Sequence, residues 1–213
     1  MAENILYVFY PTDIRPKKME KHITKHCPEI SITVFGKIKD FEEQTRRIPP
    51  DAILSHPPVI KKIRYFSSHI DGFKDGQRQE NYVLVSMNKA VDLTDLGSIK
   101  IGVLDILGRK PMKVFVSETL GTNVKIVRVT KTEDILNLLF FGLANAIFVS
   151  KHSYKKLRAQ SKLPLVVTDP GIKMDLITMA IKKDETRQLF LSCFKRLDQQ
   201  TNALLGVDQW QLK

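Results

Sequence analysis

"DAILSHPPVI", residues 51–60, carries an unbroken apolar run, Ala52 to Leu54, that stops at Ser55 and His56 and then meets two prolines. An apolar run without polar alternation is the mark of a strand buried on both faces, and such strands belong to parallel sheets covered by helices. Ser55 and His56 therefore mark the carboxyl end of a strand. Pro57 and Pro58 end that strand and begin a helix, where a missing N–H costs little.

Working outward, the chain repeats this grammar twice. In the first half "NILYVFYP" reads as a strand, "RPKKMEKHITKHC" as a helix, "SITVFG" as a strand, "KDFEEQTRRI" as a helix and "DAILSH" as a strand. In the second half the series is "IKIGVLD", "RKPMKVFVSETLG", "VKIVRVT", "KTEDILNLLFFGL" and "NAIFVSK". Two β-α-β-α-β units imply an α/β protein of two lobes, each a mostly parallel sheet flanked by helices. "YVLVSM" (82–87) and "LITMAIKK" (176–183) are extended and read as two crossover segments between lobes. Residues 1–84 with 180–213 form the expected lobe I, and 85–179 the expected lobe II. The final helix, "DETRQLFLSCFKRLDQQTNALL", starts at Asp184 as N-cap and returns to lobe I.

The 213 residues, 43% hydrophobic and 27% charged, suit a globular fold. The longest apolar run, "ILNLLFFGLANAIFV", is broken by Asn137, Gly142 and Asn145 and falls short of the roughly 20 residues that span a bilayer. "MAENILYVFYP" lacks the basic and long apolar regions of an intact secretory leader, which leaves a cytoplasmic protein or one whose leader or anchor lies outside this sequence. The net charge of +11 invites a nucleic-acid reading, but the 34 Lys and Arg are spread along the chain without a basic tail or RNP-like motif. "RPKKMEKHITKH" has the spacing of a solvated helix face, so nucleic acid is not an expected partner. Cys27 and Cys193 read as two separate thiols or as a single long-range disulfide; they have no metal-ligand spacing.

Ligands of open parallel sheets sit beyond the carboxyl ends of the strands. That rule selects Tyr10, Pro11 and Thr12 after the first strand, Ser55 and His56, Asp105 to Lys110, and Ser150 to His152. Tyr82, on the first crossover, joins them as a wall of the expected cleft.

The order of these features resembles the type 2 periplasmic-binding-protein superfamily, in particular its phosphate/phosphonate-binding branch. The resemblance is carried by "VFYPTD", by "DAILSHPPVI" against that branch's "VDLAWLGPPAY", by "VDLTDLGSIKIGVLD" against "SLADLKGKRVAFGDP", by "DILNLLFFGLANAIFVSK" against "VLEALLNGEVDAGAVDS", and by "TNALLGVDQW" against "LLEALGVDGF". It covers almost the whole chain in order. It implies a two-lobed domain that closes around a small solute, with no cofactor or metal, working with a membrane transporter or membrane receptor outside the cytoplasm. The departure lies in the loop that reads "DPSSTSGY" in that branch and "DILGRKPMK" here. Its hydroxyl cluster is replaced by Gly108, Arg109, Lys110 and Pro111, and a helix N-terminus with two cations points to an anionic ligand.

Each candidate has a plainer alternative. His56 reads as a ligand contact or as a hydrogen-bonded strand end; Tyr10 as a ring on the ligand or as lobe packing; Tyr82 as a cleft wall or as hinge packing. Ser150 and His152 read as ligand contacts or as the cap of the next helix. Arg109 and Lys110 read as ligand contacts or as a solvated first turn. The sequence holds no GxSxG, HExxH, P-loop or strand-linked GxGxxG, so no enzyme is expected. Besides a transport component, the reading leaves a sensor domain of a membrane receptor, a lobe pair that binds a protein, and the effector half of a transcription regulator.

Overall fold

The computed structural model describes residues 4–12, 14–63, 66 and 68–212. The chain divides into two compact units, 1–79 with 175–213, and 80–174. The chain passes between them within β5 and β9, earlier than the expected 84/85 and 179/180, because most of each of those strands is built into the second sheet.

In chain order, the first unit opens with β1 (Asn4–Phe9), α1 (Pro16–His26), β2 (Ile30–Val34), α2 (Ile38–Arg47), β3 (Ala52–Ser55), the single-turn α3 (Pro57–Ile60) and β4 (Ser68–Phe73). The second holds β5 (Gln79–Met87), β6 (Lys100–Leu104), α4 (Arg109–Leu120), β7 (Lys125–Val129), α5 (Ile135–Phe140), β8 (Ala146–Ser150), α6 (Lys151–Gln160) and β9 (Leu165–Asp175). The chain then returns through β10 (Thr178–Ile181), α7 (Arg187–Lys195), α8 (Gln199–Leu204) and β11 (Gln209–Leu212).

Both sheets are mixed. The first runs β11-β4-β10-β3-β1-β2, with β1 parallel to β2 and β3, and with β10, β4 and β11 joined antiparallel on the other side. The second runs β7-β6-β8-β5-β9, with β6 parallel to β7 and β8, and β5 antiparallel to β8. The parallel halves are the strands whose apolar runs the sequence displays. β4 escaped that reading because its buried residues, Ile70, Asp71 and Gly72, include only one apolar side chain and so make no apolar run. After β4 the chain reverses through an isolated Lys74–Gln77 bridge, closed by Asp75 and Gly76, both at positive φ (51° and 72°), as a two-residue turn requires.

Each helix sits by a narrow apolar stripe. α1 begins at Pro16, buries Met19 and Ile23 one turn apart and leaves Lys17, Lys18, Lys21 and Lys25 exposed, so the basic run is a solvated face. α4 buries Met112 and Val116 and ends at Gly121, which takes the left-handed conformation. The expected single C-terminal helix is two. Asp184 caps nothing with its side chain, and the helix stops near Arg196 because Asp198 accepts from the Thr201 N–H at 2.8 Å and starts α8 afresh.

Cys27, after α1, and Cys193, in α7, form a disulfide with Cα atoms 5.3 Å apart. Of the two readings the sequence left open, this is the long-range disulfide: both residues fall in one core cluster, with Met19, Ile23, Phe190 and Phe194, although 166 positions separate them in sequence. Around it His26 pairs with Asp198 at 3.0 Å and Arg196 with Glu29. Thr201 is the chief cause that holds the Asp198 carboxyl down to about 2. Trp210, on β11, packs edge-on against Phe194 and donates its indole N–H to Asn202 at 2.8 Å.

Candidate functional site

In the first unit, Phe9 of β1 lies opposite Ser55 of β3 in parallel register. The residues that follow these strands, Tyr10 and His56, therefore emerge side by side, and their rings meet at 4.8 Å. Tyr10 also packs on the core cluster, and its hydroxyl lies where a Cβ on Gly206 would approach to 2.9 Å. Burial pushes the His56 pKa down to about 4, so the ring is neutral at pH 7 and supplies no charge to an anion. Ser55 is wholly buried and donates to the Phe9 carbonyl at 2.6 Å, a brace between strands. Thr12 closes a local turn, its hydroxyl donating to the Ile14 carbonyl at 3.1 Å.

The same end of this sheet holds a cluster that the sequence did not reveal. Thr178 of β10 stands opposite Ser55 and, on its other side, opposite Asp71 of β4. Its hydroxyl donates to Asp71 at 3.0 Å, and Arg78 reaches the other carboxylate oxygen at 3.5 Å. Arg78 and Gln79 also reach Asp175, at 3.9 and 2.7 Å, which ties the outgoing chain to the returning one. Asp71 is buried, and a buried carboxylate needs such partners. The signal available in sequence was the pairing of Asp71 with Arg78 across the Asp75-Gly76 turn.

In the second unit, Tyr82 of β5 lies opposite Ser150 of β8, and its ring packs at 5.3 Å on Phe148. The Ser150 hydroxyl accepts from the Ser153 N–H at 3.1 Å, so it is the cap of α6; His152 is half-buried in that first turn. β6 runs parallel to β8, and the register places Asp105 level with Ser150. Asp105 is buried, pairs with Arg128, and accepts from the Gly108 N–H at 2.7 Å. Gly108, at φ 83°, then sends the chain into α4, leaving Arg109 and Lys110 exposed in the first turn.

That geometry changes the reading of the helix end. Of its leading amides, Gly108 is committed to Asp105 and Pro111 has none, so those of Arg109 and Lys110 remain, beside two cations. A carboxylate needs two donors and a positive field, which this turn offers. A phosphate asks for more, and the loop's own Asp105 already takes one donor.

Among the described residues, a groove of about 600 Å³ lies elsewhere in the first unit, lined by Arg46, Pro49, Pro50, Phe66 and Lys182 among others. Pro50 precedes β3 and Lys182 follows β10, so this groove is at the opposite end of the sheet from Tyr10 and His56. No group of three His, Cys, Asp or Glu among the described residues could hold a metal.

No protein-family profile and no curated protein matches the chain. Solved structures do. An arginine-bound ArgBP from T. maritima, as its Gly52Ala mutant, superposes with a TM-score of 0.57 at 17% identity, covering 95% of both chains. A putative L-cystine ABC transporter protein from Listeria monocytogenes gives 0.63 at 12%, covering 98% of both. The GluR0 ligand-binding core from Nostoc punctiforme, in complex with L-glutamate, gives 0.62 at 8%, covering 95% of both. The fold is that of the two-lobed periplasmic-binding-protein-like structures. The phosphate/phosphonate branch gains no support from these matches, whose names carry arginine, L-cystine and L-glutamate.

Proposed function

We propose that the protein is a solute-binding domain without chemistry of its own, taking a small carboxylate-bearing ligand of the amino-acid class. The observation that carries this is the Gly108–Lys110 turn, two amides and two cations at the start of a 12-residue helix. Within the first unit, the neutral Tyr10–His56 pair is a separate candidate surface for an uncharged group. The arginine, L-cystine and L-glutamate in the names of the matched structures support the ligand class, and the ABC-transporter name supports a membrane transporter as partner, with a receptor sensor as the alternative. The disulfide supports a location outside the cytoplasm, since such bonds persist in oxidising compartments. The expected anion thus narrows from an oxyanion to a carboxylate.

A thermal-shift screen tests the reading with arginine, cystine, glutamate, succinate, phosphate and methylphosphonate, on the native protein, on R109A/K110A and on Y10A. An amino acid at a hundredfold excess over its dissociation constant should add about 2.7 kcal/mol to stability. R109A/K110A should lose that shift, and Y10A reports separately on the first unit's pair. A shift with phosphate or methylphosphonate alone would restore the oxyanion reading. A shift untouched by either variant would move the site elsewhere, and no shift at all would overturn the proposal in favour of a protein partner.

A further inference from the structure

α5 ends at Phe140 and runs on through Phe141, Gly142 and Leu143, and the three apolar side chains of that tip are 61%, 66% and 52% exposed. Soluble surfaces carry isolated apolar side chains routinely, but three within four residues form a patch. The patch is rigidly presented. Gly142 sits at φ 64° and donates to the Leu139 carbonyl at 3.0 Å, and the Ala144 N–H returns to the Leu138 carbonyl at 2.9 Å. The two phenyl rings stand edge to face at 5.0 Å. Leu138 and Leu139 beneath them are buried in the core, so the tip projects from a fixed base.

The base is cationic. Asn145 is bonded both ways to Lys100, its N–H to the Lys100 carbonyl and its side-chain oxygen to the Lys100 N–H, each at 2.8 Å. Lys100 of β6 stands opposite Lys125 of β7 in register, and both side chains are exposed. Aromatic and leucine side chains beyond a paired cationic row match the layering of a bilayer surface, apolar below and anionic at the headgroups.

We propose that the Phe140–Phe141–Leu143 tip, with Lys100 and Lys125 at its base, is a docking element for an anionic lipid surface. A second copy of the chain is the poorer occupant. Three side chains expose on the order of a few hundred Å², less than the roughly 800 Å² per partner that a stable interface buries. Shallow insertion needs no such area and draws on the charge that the lysines supply. Among the described residues no helix is long and apolar enough to cross a membrane, so the contact would be peripheral.

Vesicle co-sedimentation tests this with phosphatidylcholine vesicles and with phosphatidylcholine–phosphatidylglycerol vesicles. The native chain should partition onto the anionic vesicles and be released by salt. F140S/F141S and, separately, K100E/K125E should each weaken partition by roughly tenfold or more, given the transfer energy of two phenyl groups and the charge reversal. F140W should show a blue-shifted emission on anionic vesicles alone, a readout independent of stability. A native chain that stays in the supernatant, equal partition onto neutral vesicles, or unchanged partition of both variants would each overturn the proposal. So would a sedimentation-velocity dimer that F140S/F141S dissolves, which would assign the tip to self-association.

Discussion

The first unit is sewn together from two stretches of chain, 1–79 and 175–213, whereas the second is one continuous stretch, 80–174. The first carries the disulfide, the Phe194–Trp210 pair and the ion pairs around α1 and α7. The second contains no cysteine and exposes its phenylalanines at the end of α5. Joining distant stretches costs loop-closure entropy, and a covalent link between α1 and α7 acts on that cost. The continuous unit has no such gap to close. Each unit also has its own candidate surface: neutral rings at Tyr10 and His56 in the first, exposed cations at Arg109 and Lys110 in the second.

Removing the link should break the comparison most visibly. C27S/C193S opens a closed loop of 166 residues, for which the chain-entropy picture gives roughly 5 kcal/mol, with less expected wherever the denatured chain keeps structure. Hydrogen exchange resolved along the sequence should show the loss in residues 1–79 and 175–213, with protection in β6 and β8 largely kept. Equal loss in both units would mean that the chain unfolds as one cooperative body.

Acid should act on the first unit next. His56 has its pKa lowered from 6.5 to about 4 by burial, so the unfolded chain takes up a proton that the folded chain resists. Its contribution is fully present above pH 6.5 and is lost as pH falls toward 4, by up to roughly 3 kcal/mol. Urea titrations at pH 7 and 4.5 should show this slope in the native protein and a flatter one in H56Q. A slope unchanged in H56Q would assign the acid sensitivity to other groups.

The smallest expected effect compares two glycines. A Cβ on Gly72 would lie 2.5 Å from Val207 and 2.9 Å from the Ile177 carbonyl oxygen, a backbone atom that cannot turn aside. One on Gly102 would lie 2.7 Å from Leu138 and 2.9 Å from Ile147, side-chain rather than backbone atoms. G72A should therefore cost about 2–3 kcal/mol and G102A about 1–2 kcal/mol, measured by denaturant melts. The reverse order would show the second unit to be the tighter-packed one.

These differences also mark what was legible beforehand. The β-α-β-α-β grammar survived because buried parallel strands announce themselves as apolar runs, and the 3.6-residue period of α1 shows in Met19 and Ile23. β9 and β11 are edge strands whose polar residues hide the pattern, β4 is an interior strand whose buried residues are mostly not apolar, and the Asp75-Gly76 turn was the overlooked cue for β4. Register made Tyr10 and His56 neighbours, as strand ends suggest. Ser55 and Ser150 could not be resolved that way, because a hydroxyl at a strand end serves a ligand, a neighbouring carbonyl or a helix cap equally well. The cysteine pairing was hidden by its span: only packing α7 beside α1 brings the sulfurs together.

That span sets an order of events at birth. A chain emerging amino end first presents Cys27 long before Cys193, with the whole of the second unit made in between. The second unit can complete its fold while the first waits with an open sheet edge at β3 and an unpartnered thiol. Oxidation is then the closing step of biogenesis, and a catalyst of thiol exchange at the site of synthesis or export has a single bond to make.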